Sequence, residues 1–145
     1  MAESCQGGGG VDGAVTMWGG EALKKARFEL KKLGRSRTKR CNTGSAVTTT
    51  AGELPCSHVV HGVGPNYNDY RNSDDADKLL ASAYESSVRE ASRVGARSLA
   101  CSLLSAGIYR AGQSLGHVLQ VGLKSDQKAS RELKDKSPKE LFFVA

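Results

Sequence analysis

The stretch "DADKLLASAYESSVREASRVGARSLACSLLSAGIYRAG", residues 75–112, changes its periodicity part-way through. In its first half Leu79, Leu80, Ala83, Tyr84, Ser87, Val88, Ala91 and Val94 recur at three- and four-residue steps, which gathers them on one face of a helix. Ser73 or Asp74 is placed to cap the start, Gly95 to end it, and Glu85 precedes Arg89 by four residues in the favourable order. "SLACSLL" (98–104) then follows as a buried strand and runs into a loop of small residues. Helix, buried strand and loop in succession predict an α/β layer.

Working outward, "SAVTTT" (45–50) and "SHVVHGV" (57–63) are rich in β-branched residues and predict strands. Residues 21–33 place Leu23, Ala26, Leu30 and Leu33 on one side of a helix that Gly34 would terminate. Downstream, Leu115, Val118, Leu119 and Val121 predict a helix over residues 113–124, weakened by Gly116 and Gly122. The polar run "KSDQKASRELKDKSPKE" either extends that helix or forms a loop, and "LFFVA" has the composition of a last strand.

A chain of 145 residues fits one domain able to bury a sizeable core. It has no apolar run long enough to span a bilayer and no secretory signal at its N-terminus, so the expected location is intracellular, cytoplasmic or nuclear, with no membrane partner. Cys5, Cys41, Cys56 and Cys101 are too scattered for a disulfide scaffold and read as free thiols. The net charge of +6 owes much to residues 24–40, where Lys24, Lys25, Arg27, Lys31, Lys32, Arg35, Arg37, Lys39 and Arg40 face only Glu29. Such a cluster suits nucleic acid or another polyanion; a solvated helix face running into a charged loop is the plainer reading.

Two loops carry the functional reading. "CQGGGGVDGA" (5–14) sets four glycines before a helix start, where backbone amides can converge on a phosphate. Gly8, Gly10 and Gly13 satisfy G-x-G-x-x-G, but too little chain precedes them for the strand that the dinucleotide motif needs, and no Gly-Lys-Ser/Thr follows. Taken alone, the run reads equally as a flexible linker. "LLSAGIYRAG" (103–112) leaves a strand with small residues and an aromatic, the place where α/β sheets bind ligands. An ordinary strand exit with Tyr109 covering the core is the alternative.

At these residues the chain resembles the macro domains, which bind ADP-ribose. The stretches that match are "GGGGVDGA", "CNTGSAVTTTAGELPCSHVVHGVGPNY" and "LLSAGIYRAG", in the family's order and approximate spacing. The resemblance implies a three-layer α/β/α sandwich with a mixed central sheet and no cofactor. It implies that Gly8, Gly9, Gly10 and Val11 form one diphosphate loop and Ser105, Ala106, Gly107, Ile108 and Tyr109 the other, with the Tyr109 ring near the distal ribose. In the hydrolytic branch the acidic residue matching Asp12 activates or positions a water, which implies ADP-ribosyl hydrolysis of the O-acetyl-ADP-ribose deacetylase type. A helix-capping role for Asp12 is the structural alternative.

The match has gaps. The Asn-Ala-Ala-Asn strand end that precedes the glycine loop in that branch is absent, as are the first strands, the acidic residue that contacts adenine and the final helix. Thr16 stands where a histidine is common, and Arg110, Ala111 and Gly112 replace Gly-aromatic-Pro. The whole chain, 1–145, is therefore expected to be one macro-like domain truncated at both ends, binding ADP-ribose or ADP-ribosylated protein more securely than it turns either over. Poly-ADP-ribose or RNA binding through residues 24–40 is the competing function. A metal site from Cys56, His58 and His61 is disfavoured, because His58 and His61 would point to opposite faces of a strand. Cys101, in an apolar strand, reads as a packing residue.

Overall fold

The computed structural model describes residues 2–144. Helix α1 (Gly10–Glu29) is followed by strands β1 (Ala46–Thr50) and β2 (His58–Gly62), helix α2 (Ser73–Arg93), strand β3 (Ser98–Ser102), helix α3 (Leu115–Leu133) and strand β4 (Glu140–Val144). β1 and β2 are antiparallel, with Thr48 opposite Val60; β3 and β4 are parallel, with Ala100 opposite Phe142. The expected mixed sheet is thus present as two two-stranded halves, with no hydrogen-bonded pairing of β2 to β3.

α2 joins the halves. Its predicted stripe is buried at Leu80, Ala83, Tyr84, Ser87, Val88 and Ala91 and half-buried at Leu79 and Val94, and Ala76 joins it. Leu80 and Tyr84 share a core cluster with Cys101 of β3 and Val118 of α3, and Phe143 of β4 packs onto it. The cap is Asn72, whose side chain accepts from the Asp74 amide at 3.0 Å, so the helix begins just before the expected residues; Gly95 closes it at φ 69°. α3 runs on through the polar stretch to Leu133, because Ser125, Asp126 and Ala129 turn inward while Lys128 and Glu132 pair across the outside with Glu85 and Arg89 of α2, at 2.9 and 2.7 Å.

α1 departs most from expectation. It starts at the glycine run, breaks at Gly20 (φ 65°, ψ −165°) and ends at Glu29, before Gly34 is reached. Only glycine takes that conformation without strain. The turn after β1 fits into the break: the Glu53 amide donates to the Gly19 carbonyl at 3.1 Å, and a Cβ on Gly52 would collide with the same oxygen.

Asp126 is 2% exposed, and neither carboxylate oxygen has a hydrogen-bond partner. Burial pushes its pKa up to about 7. The folded state therefore holds a proton that the unfolded chain releases near pH 4, so stability falls as pH rises from about 4 to about 7 and levels off above that. Asp126→Asn should leave stability near pH 3.5 almost unchanged and raise it by roughly 2–4 kcal/mol at pH 8, read from urea unfolding at both values.

Candidate functional site

The glycine run forms a loop that feeds directly into α1. Gly7 (φ 101°) and Gly10 (φ 60°) need positive φ, and Gly9 occupies the N-cap position with no capping side chain. No atom lies within 4 Å of a Cβ built on Gly9 or Gly10, so the space beside the helix start is open. Gly13 is required from within, since its Cβ would stand 2.7 Å from the Gly8 carbonyl oxygen.

Asp12 is held by a basic residue from the far half of the helix. The Arg27 guanidinium, 1% exposed, places Nη2 3.1 Å from Asp12 Oδ1, an ion pair that is out of line for a hydrogen bond. Arg27 Nη1 also donates to Thr16 Oγ1 at 2.5 Å, and Thr16 in turn donates to the Asp12 carbonyl at 2.7 Å. The break at Gly20 folds the helix so that these residues can meet.

Residues 103–112 form the second loop. Ser105, at φ 54°, donates its hydroxyl to the Pro65 carbonyl at 2.6 Å, which pins the loop to the segment after β2. A Cβ on Gly64 would stand 2.6 Å from that hydroxyl. Ala106 is half-buried; Gly107, Ile108 and Tyr109 are exposed, and a Cβ on Gly107 would meet nothing within 4 Å. Val11 lines the large groove together with Leu104 of the second loop; Gly7–Gly10 and residues 105–109 do not line it.

Beneath the second loop lies a cluster that sequence reasoning missed. Tyr67 donates to Asp77 Oδ1 at 2.5 Å, and His117 Nε2 lies 2.9 Å from both oxygens of the same carboxylate. Burial, then the hydrogen bond to Asp77, hold the Tyr67 hydroxyl well above the usual phenol range, so it remains a neutral donor. The three residues come from separate segments, and no local pattern links them. Arg27 did leave a signal: it lies four residues after buried Leu23, on the same helix face.

The remaining candidates are structural. His61 is buried with Nε2 2.7 Å from Thr49 Oγ1; burial lowers its pKa to about 3, and it is neutral. Thr49 gives its own proton to the Thr50 carbonyl, so His61 is the donor. His58 and Cys56 are exposed, and no group of metal-binding side chains occurs among the described residues. All four cysteines are free; burial pushes the Cys101 thiol up to about 12. In the basic segment Arg27 and Arg40 are buried, the latter bonded to the Thr38 and Phe28 carbonyls at 2.8 and 3.2 Å.

The macro domain family model matches residues 1–115. The chain belongs to the macro domain family. It is 44% identical over 103 residues to a macro domain-containing protein of Cupriavidus necator, covering 71% of this chain and 56% of that one. It is 36% identical over 141 residues to an O-acetyl-ADP-ribose deacetylase of Escherichia fergusonii, covering 97% and 74%. Among solved structures, the Oceanobacillus iheyensis macrodomain with ADP superposes at TM-score 0.80 with 26% identity, over 99% of this chain and 73% of that one. The Trypanosoma brucei macrodomain in complex with ADP-ribose does so at 0.74 with 27% identity, over 97% and 53%. The chain thus spans little more than half the length of several relatives it matches. Among the described residues no helix is long and apolar enough to cross a membrane.

Removing one partner of a buried ion pair leaves the other charge without compensation. Arg27→Gln should therefore lower unfolding stability by about 3 kcal/mol, measured by urea titration, and loosen residues 7–12, measured as faster exchange of their amide hydrogens.

Proposed function

We propose that this macro domain binds ADP-ribose, free or attached to protein, with the diphosphate between residues 8–11 and 105–109. The observation that carries the reading is the uncapped start of α1: exposed glycines place unpaired amides and the positive end of the helix dipole where nothing else stands. Gly107 in the second loop is likewise exposed with open space beside it, and the exposed Tyr109 ring is the group we assign to the distal ribose. ADP and ADP-ribose in the solved relatives support the ligand class.

Hydrolysis is the finer part of the proposal, supported by relatives named O-acetyl-ADP-ribose deacetylase. Asp12 is the residue proposed to orient the attacking water, through the carboxylate oxygen not engaged by Arg27. The ion pair fixes that carboxylate in place. It also means that Asp12→Ala strands a buried guanidinium, so Asp12→Asn is the cleaner variant.

Gly9 sits in extended backbone (φ −89°, ψ 180°) with open space around it, so a side chain there obstructs the loop without straining the backbone. Calorimetric titration with ADP-ribose should show one saturable site, and Gly9→Val should weaken it at least about tenfold with melting temperature unchanged. Replacing Lys31, Lys32, Arg35 and Arg37 with glutamine should leave that affinity within about twofold; its complete loss would transfer the function to the basic segment. With a mono-ADP-ribosylated protein as substrate, Asp12→Asn should release at least about tenfold less ADP-ribose than wild type, and equal release would remove Asp12 from the reaction.

A further inference from the structure

Cys5 and Cys41 are far apart in the chain and together in the fold. They share with Val63 a core cluster in which Cys5 is 0% exposed and Cys41 1%. Each is the largest influence on the other's thiol, which puts the two sulfurs in direct contact. Cys101 packs in the other core cluster and Cys56 is exposed, so the four free thiols contain one facing pair.

The backbone sets this meeting. The Arg40 and Cys41 amides donate to the Glu3 carbonyl at 2.7 and 3.0 Å. The Glu3 carboxylate accepts from the amide and the hydroxyl of Thr43, each at 3.0 Å, and pairs with Lys39 at 2.9 Å, so residues 3–5 are docked on residues 39–43 in one register. The Cys5 amide donates to the Ala2 carbonyl at 3.0 Å, closing a turn in which Cys5 takes φ 55°. That conformation is strained for a residue other than glycine, and it turns the Cys5 side chain onto Cys41. A disulfide requires α-carbons within about 7 Å and side chains aimed at each other. A main chain bonded two residues away and touching thiols provide that approach.

We infer that Cys5 and Cys41 are a site of reversible disulfide formation, closed by a peroxide and opened by a dithiol, which latches the entry of the glycine loop onto the segment before β1. Contact with Cys41, and after it the charge of Arg27, lower the Cys5 thiol against the opposing effect of burial, whereas the same contact and burial raise that of Cys41. Cys5 therefore ionises first and is the nucleophile. Its sulfur attacks one oxygen of hydrogen peroxide; the O–O bond breaks, Cys5 is oxidised to the sulfenic acid, and the departing hydroxide takes the thiol's proton and leaves as water. The Cys41 sulfur then attacks the Cys5 sulfur; the S–S bond forms, the S–O bond breaks, and the second hydroxide takes the Cys41 proton as water. Two thiols and one peroxide thus give one disulfide and two waters. A dithiol reverses the change by exchange and becomes a disulfide itself. Cys5 stands two residues before Gly7, so the bond acts on the anchor from which the glycine loop departs.

The test uses the full chain with Cys56→Ser, which removes the exposed thiol and leaves the pair intact. Hydrogen peroxide should yield a monomer lighter by two hydrogens, in which tryptic peptides 1–24 and 41–71 are joined and Cys101 still alkylates; dithiothreitol should restore the original mass. With Cys41→Ser added, the same treatment should stop at a sulfenic acid on Cys5, trapped by dimedone. Hydrogen exchange then reads the latch: the Cys5, Arg40 and Cys41 amides, which exchange only when residues 2–5 detach, should slow at least about tenfold in the oxidised protein and recover on reduction. A bond to Cys101, or sulfinic acid at Cys5 with no joined peptides, would overturn the pairing. Joined peptides with faster exchange at those amides would show that the bond forms only by pulling the segment off its seat, and would overturn the latch. None of these readings uses ADP-ribose, so they stand or fall apart from the proposed function.

Discussion

Tyr84 is the joint on which both halves of this molecule depend. From the middle of α2 its hydroxyl accepts the Leu104 amide at 2.8 Å, at the root of the second loop. Its ring lies 5.8 Å from that of Phe143 in β4, and Gly122 in α3 has no Cβ because one would meet the ring at 2.9 Å. One side chain thus fixes the β3–β4 pair, the third helix and a candidate ligand loop to the helix that carries β1 and β2. In most α/β domains hydrogen bonds between adjacent strands share that task; here helix packing performs it across the gap. Burial raises the Tyr84 hydroxyl to a pKa of about 12, so it keeps its proton at any pH where the protein is folded.

The glycine loop depends on a different contact. A run of glycines has much conformational entropy to lose and no side chains with which to recover it. Its order has to come from its flanks. Arg27 supplies part of this by pairing with Asp12 and bonding Thr16, and a Cβ at Gly7 would come within 3.6 Å of the same guanidinium. The other flank is tied at Cys5, buried with Cys41 and Val63, while the amides of Arg40 and Cys41 both donate to the Glu3 carbonyl, at 2.7 and 3.0 Å. The loop is therefore a short span between two anchors. That is why exposed glycines here are compatible with a defined anion site rather than a slack tether.

What the sequence made legible follows the range of the forces involved. The α2 stripe, the four strands and the stop at Gly95 rest on local periodicity and backbone preference, and each lies within a few residues of its predicted bounds. The break at Gly20 was illegible because it answers to Gly52, on a turn 32 residues away. The polar end of α3 was ambiguous because Ser125 and Asp126 are polar residues on a buried face. Two cations of the basic segment were not legible as buried: Arg27 and Arg40 turn inside, against Asp12 and main-chain carbonyls, while composition shows only the summed charge. The glycine and Ser105–Tyr109 loops were visible as composition. Their geometry was not, since it depends on Arg27 and on the Ser105–Pro65 bond.

The gap between β2 and β3 bears on the site as well as on the sheet. Val11, the last residue of the glycine loop, and Leu104, in the second loop, both line it, so the two candidate phosphate loops border one groove. Val11 is 57% exposed and Trp18 68% exposed, an apolar flank on the first half of α1 that α2 and α3 do not reach. Loop spacing decides whether two sets of amides can reach one diphosphate at the same time.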